Sequence, residues 1–353
     1  MIRLALIYGG ASSEHSVSCV TALGVYSAID KTKYEVIPIG ITPEGKLVLN
    51  PISADWKLSD SPTVRDGTEV YPALGGGVWR MADGTDLGVI DVAFPVLHGP
   101  NGEDGSIQGL LQLCEVPYVG NGVLASAVAM EKSKAKALFQ NAGISVAEGL
   151  VVTEKEFDLN PQGFLKQCQE HFDLPVFVKP SRSGSSVGVS KVKELEDLEA
   201  AIIEAFSYDN TVLVETTVVG REVECAVLEL PTGELKVSMA GEIVVTGREF
   251  YDYEAKYLDG GADLLVPTSL SAAELTEMHD LAKRAFRALG CSGLARTDFF
   301  LTNSGFVITE VNTMPGFTPI SMYPSLWQAT GVSYSELVDT LIQTGLSLGT
   351  QPR

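Results

Sequence analysis

The sequence predicts a mixed α/β protein: a parallel α/β domain over residues 1–121, then two α+β lobes over 122–214 and 215–353. Three observations carry this reading. Apolar strand-like runs alternate with helix-like segments through the first third, the pattern of a parallel sheet with crossover helices. The middle holds a strand, a glycine-rich loop and a second strand, "LPVFVKPSRSGSSVGVSKV". The last third carries a hairpin-like run, "RTDFFLTNSGFVITEVN", whose apolar residues are interrupted by Arg296, Asp298, Glu310 and Asn312. At 353 residues the chain is also too long for one ordinary core.

The elements follow in order. "LALIY" is a strand ending at Gly9 and Gly10. A helix, "ASSEHSVSCVTALGVYSAI", follows it, with Ser12 or Ser13 as its cap and Glu14 in or beside its first turn. "YEVIPIGI" is a second strand, and residues 50–88 read as loops and short edge strands. "VIDVAFPVLHG" is a buried strand ending at His98, followed by a Gly-rich turn and a helix from Ile107 to Cys114. A single helix, "ASAVAMEKSKAKALFQNAG", opens the central lobe and carries Lys132. "ELEDLEAAIIEAFSY" is its second helix and "TVLVET" another strand. The C-terminal lobe holds the strands "REVECAVLEL" and "LKVSMAGEIVV", then a polar loop from Gly247 to Leu264. A helix near 271–289, the polar hairpin and a helix near 334–347 complete it.

Composition excludes some partners. The chain is 45% hydrophobic and 20% charged, with a formal net charge of −20. Nucleic acid and anionic membrane surfaces need Lys/Arg patches, so neither is expected. A nucleotide held by a few placed lysines and a metal remains open. Five scattered cysteines without a CxxC fit buried free thiols in a reducing cytosol, so a cytoplasmic protein is expected. The apolar N-terminal run is too short for a signal peptide, and no stretch approaches the roughly 20 apolar residues of a membrane span.

The hairpin poses the chemical question. Strand side chains alternate faces, so Arg296 and Asp298 share one face, as do Glu310 and Asn312. A two-residue turn at Asn303–Ser304 would set Asp298 opposite Thr309. A three-residue loop with Gly305 in the left-handed region sets Asp298 opposite Glu310 and Arg296 opposite Asn312, and this is the expected register. Two carboxylates so opposed, with no His or Cys nearby, suit a shared Mg²⁺ or Mn²⁺ ion. The alternative is a structural Arg–Asp pair with a solvated Glu.

Other groups point the same way. Lys179 ends an apolar strand, where an inward ammonium needs an anion. The loop after it has the glycines, hydroxyls and backbone N–H groups of a phosphate cradle, although it matches neither G-x-x-x-x-G-K-[ST] nor G-x-G-x-x-G. An ordinary hairpin loop with a snorkelling lysine is the other reading. Lys132 is a second candidate, set against a solvated helix position. Glu215 and Glu222 sit at strand ends, where sugar hydroxyls or amines are often bound and solvated positions are common. The loop "GREFYDYEAKYLDGG" alternates aromatics with charges, as a lid over a substrate would. Gly316, just past the hairpin, can offer its N–H as an oxyanion donor beside Arg296. His98 is either a core histidine or a substrate contact. Together these groups describe a Mg-nucleotide phosphoryl-transfer enzyme.

The segments "YGGASSEHSVS", "FPVLHGPNGEDGSIQG", "VKPSRSGSSVG", "FYDYEAKY", "GLARTDFF" and "EVNTMPGFTPIS" occur in this order nearly end to end. In them the chain resembles the D-alanine–D-alanine ligases of the ATP-grasp superfamily. The resemblance implies an N-terminal substrate domain followed by a two-lobed ATP-grasp module. It implies ATP-dependent formation of D-alanyl-D-alanine through a D-alanyl phosphate, for peptidoglycan precursors, with ATP, two Mg²⁺ (or Mn²⁺) ions and a homodimer. Glu14 would hold the first D-alanine's ammonium and His98 would face that substrate. Ser185 and Tyr257 would join Glu14 in a network closing the lobes. Lys132, Lys179, Lys256, Ser185 and Ser186 would lie at the phosphates, with Lys256 also near the substrate carboxylate. Glu215, Thr216, Thr217, Val218 and Glu222 would hold adenine and ribose, and Phe250 would also contact the nucleotide. Asp298, Glu310 and Asn312 would bind the metals, Arg296 and the Gly316 N–H would form the oxyanion hole, and Ser321 would bind the second D-alanine's carboxylate. Tyr257, in the region where depsipeptide-forming relatives carry a His, implies a dipeptide product rather than D-alanyl-D-lactate; D-serine as second substrate is a further alternative.

Overall fold

The computed structural model describes residues 1–184, 186–245 and 262–353. Three sheets organise these residues. The first contains β1 (Ile2–Gly9), β2 (Tyr34–Ile41), β3 (Leu47–Leu49), β4 (Thr68–Pro72), β5 (Val78–Met81), β6 (Asp86–Val89) and β7 (Val92–Pro95), in the order β6-β5-β4-β3-β2-β1-β7. β1 runs parallel to both β2 and β7. Its residues from Leu4 to Tyr8 are wholly buried, as expected of a strand covered on both faces. β3 to β6 continue the sheet in antiparallel fashion. The short edge strands expected over 50–88 therefore extend this first sheet, anchored by the buried Trp79 on β5.

The central sheet contains β8 (Gly149–Thr153), β9 (Val176–Pro180), β10 (Ser190–Val192) and β11 (Thr211–Thr216), in the antiparallel order β10-β9-β11-β8. The third sheet contains β12 (Arg221–Glu229), β13 (Leu235–Val237), β14 (Gly241–Val245), β15 (Ala262–Leu265), β16 (Leu294–Thr302) and β17 (Gly305–Asn312). Its order is β15-β14-β12-β16-β17, with β13 also paired to β12.

Two helix expectations are corrected. α1 (His15–Ala28) has Glu14 at its N-cap, and no side chain caps it. The Ser12 hydroxyl instead accepts the Glu14 N–H at 3.1 Å and donates to the His98 carbonyl at 3.0 Å, tying the loops after β1 and β7 together. α2 (Ser106–Leu113) lies within a residue of expectation. The single helix expected next is two, α3 (Val123–Met130) and α4 (Lys132–Asn141), broken at Glu131 with ψ 89°. The break has a local cause. The Lys132 N–H donates to the Ser181 carbonyl at 3.1 Å, and the Glu131 carboxylate accepts from the hydroxyls of Ser133 and Ser181. Lys132 thereby sits in the first turn of α4, against the glycine-rich loop.

α5 (Glu154–Leu159), α6 (Pro161–His171) and α7 (Leu198–Phe206) supply apolar residues to the core over the central sheet. α8 (Ala272–Ala288) packs on the third sheet and starts at a capping box formed by Ser271 and Glu274. α9 (Met322–Ala329) and α10 (Tyr334–Leu348) bury Tyr323, Trp327, Leu337 and Leu341 in the same core as Leu4, Tyr8 and Phe94 of the parallel sheet. Phe94 meets Phe317 edge-on at 6.0 Å. The loop between β17 and α9 is thus pressed against the ends of β1 and β7, where parallel α/β sheets present their sites. Among the described residues no helix is long and apolar enough to cross a membrane.

Candidate active site

The hairpin reaches the expected register by an unexpected route. The turn is the two-residue one, Asn303–Ser304, with Thr302 opposite Gly305 at φ 113°. A bulge between Asp298 and Phe299 then shifts the register, so Asp298 opposes Glu310 and Arg296 opposes Asn312. Thr309, the surplus residue on β17, donates its hydroxyl to the Asp298 carbonyl at 2.9 Å. The three-residue loop read from the sequence is therefore wrong, while the side-chain pairing it served is right.

Arg296 grips Asp298 in a bidentate pair, Nε to Oδ1 at 2.8 Å and Nη2 to Oδ2 at 2.7 Å. Its Nε also lies 3.0 Å from Glu224 Oε2, and Glu224 stands directly opposite Asp298 on β12. Burial opposes the guanidinium charge, but Asp298 and Glu224 outweigh it and hold Arg296 firmly protonated. The Asn312 amide donates to Asp298 Oδ2 at 2.9 Å and to Glu310 Oε1 at 3.4 Å, so it bridges the two carboxylates as a cation would. Asp298, Glu310 and Asn312 make an oxygen-bearing set suited to a hard divalent ion. Lys132 Nζ lies 3.9 Å from Glu310 Oε2 and also donates to the Ser183 carbonyl.

A cleft of about 420 Å³ gathers eight of the predicted residues: Glu14, His98, Lys132, Arg296, Glu310, Asn312, Gly316 and Ser321. Asp298 is buried behind it. Gly99, at φ 74°, lets Glu14 approach, since a Cβ there would meet Glu14 Oε2 at 2.8 Å. His98 is buried, with Nε2 3.1 Å from Thr21 Oγ1 and Nδ1 3.3 Å from the Met314 carbonyl and 3.7 Å from Glu103 Oε1. Burial pushes the His98 imidazolium down, but the Glu103 and Glu14 carboxylates pull it above its ordinary value. His98 is therefore a buried histidine that also lines the cleft. Ser321 is the N-cap residue of α9, and its Oγ lies 2.7 Å from Thr318 Oγ1 and accepts the Thr318 N–H at 3.1 Å. A Cβ on Gly316 would come within 3.3 Å of that oxygen, so the glycine permits the close approach.

A second cluster lies in the central lobe. The Glu215 carboxylate is shared by two lysines, Lys179 at Oε2 and Lys136 at Oε1, the latter at 2.6 Å. Burial alone would raise Glu215, but the two ammonium groups hold it below its ordinary value. Burial lowers Lys136, with Glu215 opposing. Thr216 and Thr217 continue from β11. The Thr216 N–H donates to the Glu148 carbonyl at 2.9 Å and the Thr217 hydroxyl to the Pro175 carbonyl at 2.6 Å. Val218 is half-buried beside them, and Glu222 is half-buried on β12. In the glycine-rich loop Arg182 is bound through its N–H and guanidinium to Asp209, and Ser186 adopts φ 57°. Ser185, Phe250, Lys256, Tyr257 and nearly all of the tyrosine-bearing loop lie outside the described residues.

Three charged residues escaped the sequence reading. Glu224 is two residues from Glu222 on one strand, so period-two alternation gives the signal for it. Lys136 is four residues from Lys132, on the same helix face. Glu103, in the "GPNGED" turn, carries no such signal.

Carboxylates around one guanidinium, lysines around one carboxylate, and a cleft lined by both the N-terminal and C-terminal parts of the chain are an arrangement of charge suited to an enzyme acting on small charged substrates. Family models agree with that class. The model described as D-ala D-ala ligase N-terminus matches residues 3–121, and that described as D-ala D-ala ligase C-terminus matches residues 138–343. The chain belongs to the D-alanine–D-alanine ligase family and is a ligase. It is 48% identical to a D-alanine–D-alanine ligase of Mycolicibacterium vanbaalenii, covering 99% of this chain and 98% of the relative. It is 47% identical to one of Nocardia farcinica, with the same coverage. Among solved structures it resembles the VanG D-Ala:D-Ser ligase from Enterococcus faecalis, at TM-score 0.85 and 36% identity over 98% of this chain and 99% of that one. It also resembles the D-alanine-D-alanine ligase from Coxiella burnetii, at TM-score 0.82 and 32% identity over 98% and 94%.

Proposed function

We propose that the protein joins two D-alanine molecules into D-alanyl-D-alanine at the expense of ATP, supplying a peptidoglycan precursor. One observation carries this reading: a single cleft sets Glu14 and His98 of the N-terminal domain against Arg296, Gly316 and Ser321 of the C-terminal lobe, with Lys132 and Glu310 also on its wall. An ammonium acceptor, an oxyanion site and a carboxylate donor are what two amino acids and a tetrahedral intermediate need.

In this reading Glu14 holds the first D-alanine's ammonium, and that D-alanine's carboxylate oxygen attacks the γ-phosphorus of ATP, forming D-alanyl phosphate and releasing ADP. Lys132, Lys179 and Lys256 hold the phosphates beside Ser185 and Ser186. Glu215, the Thr216–Thr217–Val218 stretch and Glu222 hold adenine and ribose, and Phe250 also contacts the nucleotide. Ser321 orients the second D-alanine by its carboxylate. That substrate's neutral amine attacks the acyl carbon, Arg296 and the Gly316 N–H take the oxyanion, and phosphate departs. Ser185 and Tyr257 close on Glu14 and keep water from the acyl phosphate. Asp298, Glu310 and Asn312 are the residues that would hold two Mg²⁺ or Mn²⁺ ions. Such ions neutralise phosphate charge during transfer. Cytoplasmic residence and a homodimer belong to the same reading, and sedimentation tests the dimer.

Product identification tests the function. Given ATP, Mg²⁺ and equal D-alanine, D-serine and D-lactate at pH 7, the enzyme makes mostly D-alanyl-D-alanine. A product made mostly of D-alanyl-D-serine or the D-lactate ester would replace this reading.

A further inference from the structure

Glu215 and its two lysines hold more than an anion site requires. Glu215 is 2% exposed and Lys136 is 8% exposed, while the Lys179 side chain keeps 20% of its surface. Lys136 comes from α4 and Lys179 from β9, on opposite oxygens of one carboxylate. Gly149 on β8 pairs with Glu215, and a Cβ there would lie 2.9 Å from Glu215 Cγ, so the glycine leaves the channel in which this side chain lies. The carboxylate is therefore fixed in place and in charge.

We propose that Lys136 is a positioning residue for base selection: it keeps Glu215 ionised and aimed when Lys179 turns to the phosphates, so the site accepts a 6-amino purine and refuses a 6-oxo purine. This rests on the reading that Glu215 meets the base and Lys179 the phosphates. Lys179, the more exposed ammonium, is the one an arriving polyphosphate can draw away. Glu215 then keeps a single counter-charge. A carboxyl this buried, left without one, takes up a proton. The protonation state sets the base. An ionised carboxylate only accepts hydrogen bonds, so it suits the exocyclic amine of adenine and repels a carbonyl oxygen at the same position. A protonated carboxyl donates, and the preference weakens or inverts. Among the described residues, the charges facing Glu215 are Lys136 and Lys179, with Lys132 acting on Lys136 from the preceding turn of α4.

The test compares ATP with inosine triphosphate, which carries oxygen in place of the 6-amino group, in the full-length enzyme with D-alanine. Phosphate release gives kcat and KM for each nucleotide, and thermal melting reports the fold. In Lys136→Met the ATP-over-ITP ratio of kcat/KM falls about tenfold, mainly through KM for ATP, with kcat within about threefold of wild type. Lys136→Arg, which keeps the charge, restores the ratio. If the Met variant fails to fold, Lys136→Gln carries the test and must also lose the ratio. A folded Lys136→Met or Lys136→Gln enzyme with the wild-type ratio overturns the inference. Glu215→Ala separates the two levels. If it collapses the ratio while the Lys136 variants do not, only the role of Lys136 falls. If it too leaves the ratio unchanged, the placement of the base at Glu215 falls and takes the inference with it.

Discussion

The polar hairpin and the central lysine cluster handle charge in opposite ways. On the hairpin, Glu224 and Asp298 share one guanidinium, Arg296, and Glu310 lies beside them with Lys132 Nζ at 3.9 Å. In the central lobe, two ammonium groups share one carboxylate. Among the described residues, carboxylates predominate in the first region and ammonium groups in the second. A fold gains nothing in stability from either surplus, since a matched pair costs less to bury than an unmatched charge. In the proposed function, polyphosphate would meet the lysines and hard cations the carboxylates. The difference between the regions thus teaches more about function than either region alone.

The strongest way to break this comparison is Glu310→Gln, which removes carboxylate charge where the surplus lies and leaves the Arg296–Asp298 pair intact. Turnover falls on the order of a thousandfold, read by steady-state kinetics across a Mg²⁺ titration, while the melting curve holds. Near-normal activity would show that Glu310 is only a solvated strand residue. Lys179→Met comes next. It lowers kcat/KM for ATP about a hundredfold, and the Lys136–Glu215 pair keeps the lobe folded. An unchanged KM for ATP would remove Lys179 from the anion site.

Glu224→Gln sharpens the contrast from the structural side. Arg296 loses one charged partner but keeps Asp298, so the protein loses about 2 kcal/mol by urea unfolding. No loss would mean that Asp298 alone satisfies the guanidinium. The smallest effect is in acid. Burial would raise Glu215 above its ordinary 4.5, but Lys179 and Lys136 hold it below. The folded state therefore binds this proton more weakly than the unfolded chain does. The stabilisation is complete above pH 4.5 and is lost as pH falls through the lower folded value. Urea unfolding from pH 6 to pH 3 shows a shallower acid decline in Glu215→Gln than in wild type. An identical decline would mean that Glu215 contributes nothing to it.

Much of this was legible in the chain, for reasons that particular residues make plain. β1 and β7 announce themselves because strands buried on both faces are unbroken apolar runs. α8 was read as a helix near 271–289, and the structure starts it at a capping box of Ser271 and Glu274. The meeting of Asp298 with Glu310 was read from a three-residue loop that does not form; the bulge at Thr309 that produces the pairing was not read. A bulge is paid for by a hydroxyl-to-carbonyl bond that pattern alone does not reveal. The break at Glu131 was hidden for a similar reason: its partners Ser133 and Ser181 include one that is fifty residues away. Glu103 and Lys136 act through neighbours that only the fold supplies. The packing of α9 and α10 on the N-terminal sheet was equally invisible, because an apolar helix face does not name the sheet it covers.

The central claim is that lysine surplus binds the nucleotide and carboxylate surplus binds the cation. Calorimetric titration of ATP into wild type, Glu310→Gln and Lys179→Met, each with and without Mg²⁺, tests it most directly. The account predicts that Lys179→Met weakens ATP in both conditions. It predicts that Glu310→Gln binds metal-free ATP at least as tightly as wild type and loses the tightening that Mg²⁺ brings. If Glu310→Gln weakened ATP equally with and without Mg²⁺, or if Lys179→Met weakened it only with Mg²⁺, the division of labour between the two regions would be contradicted.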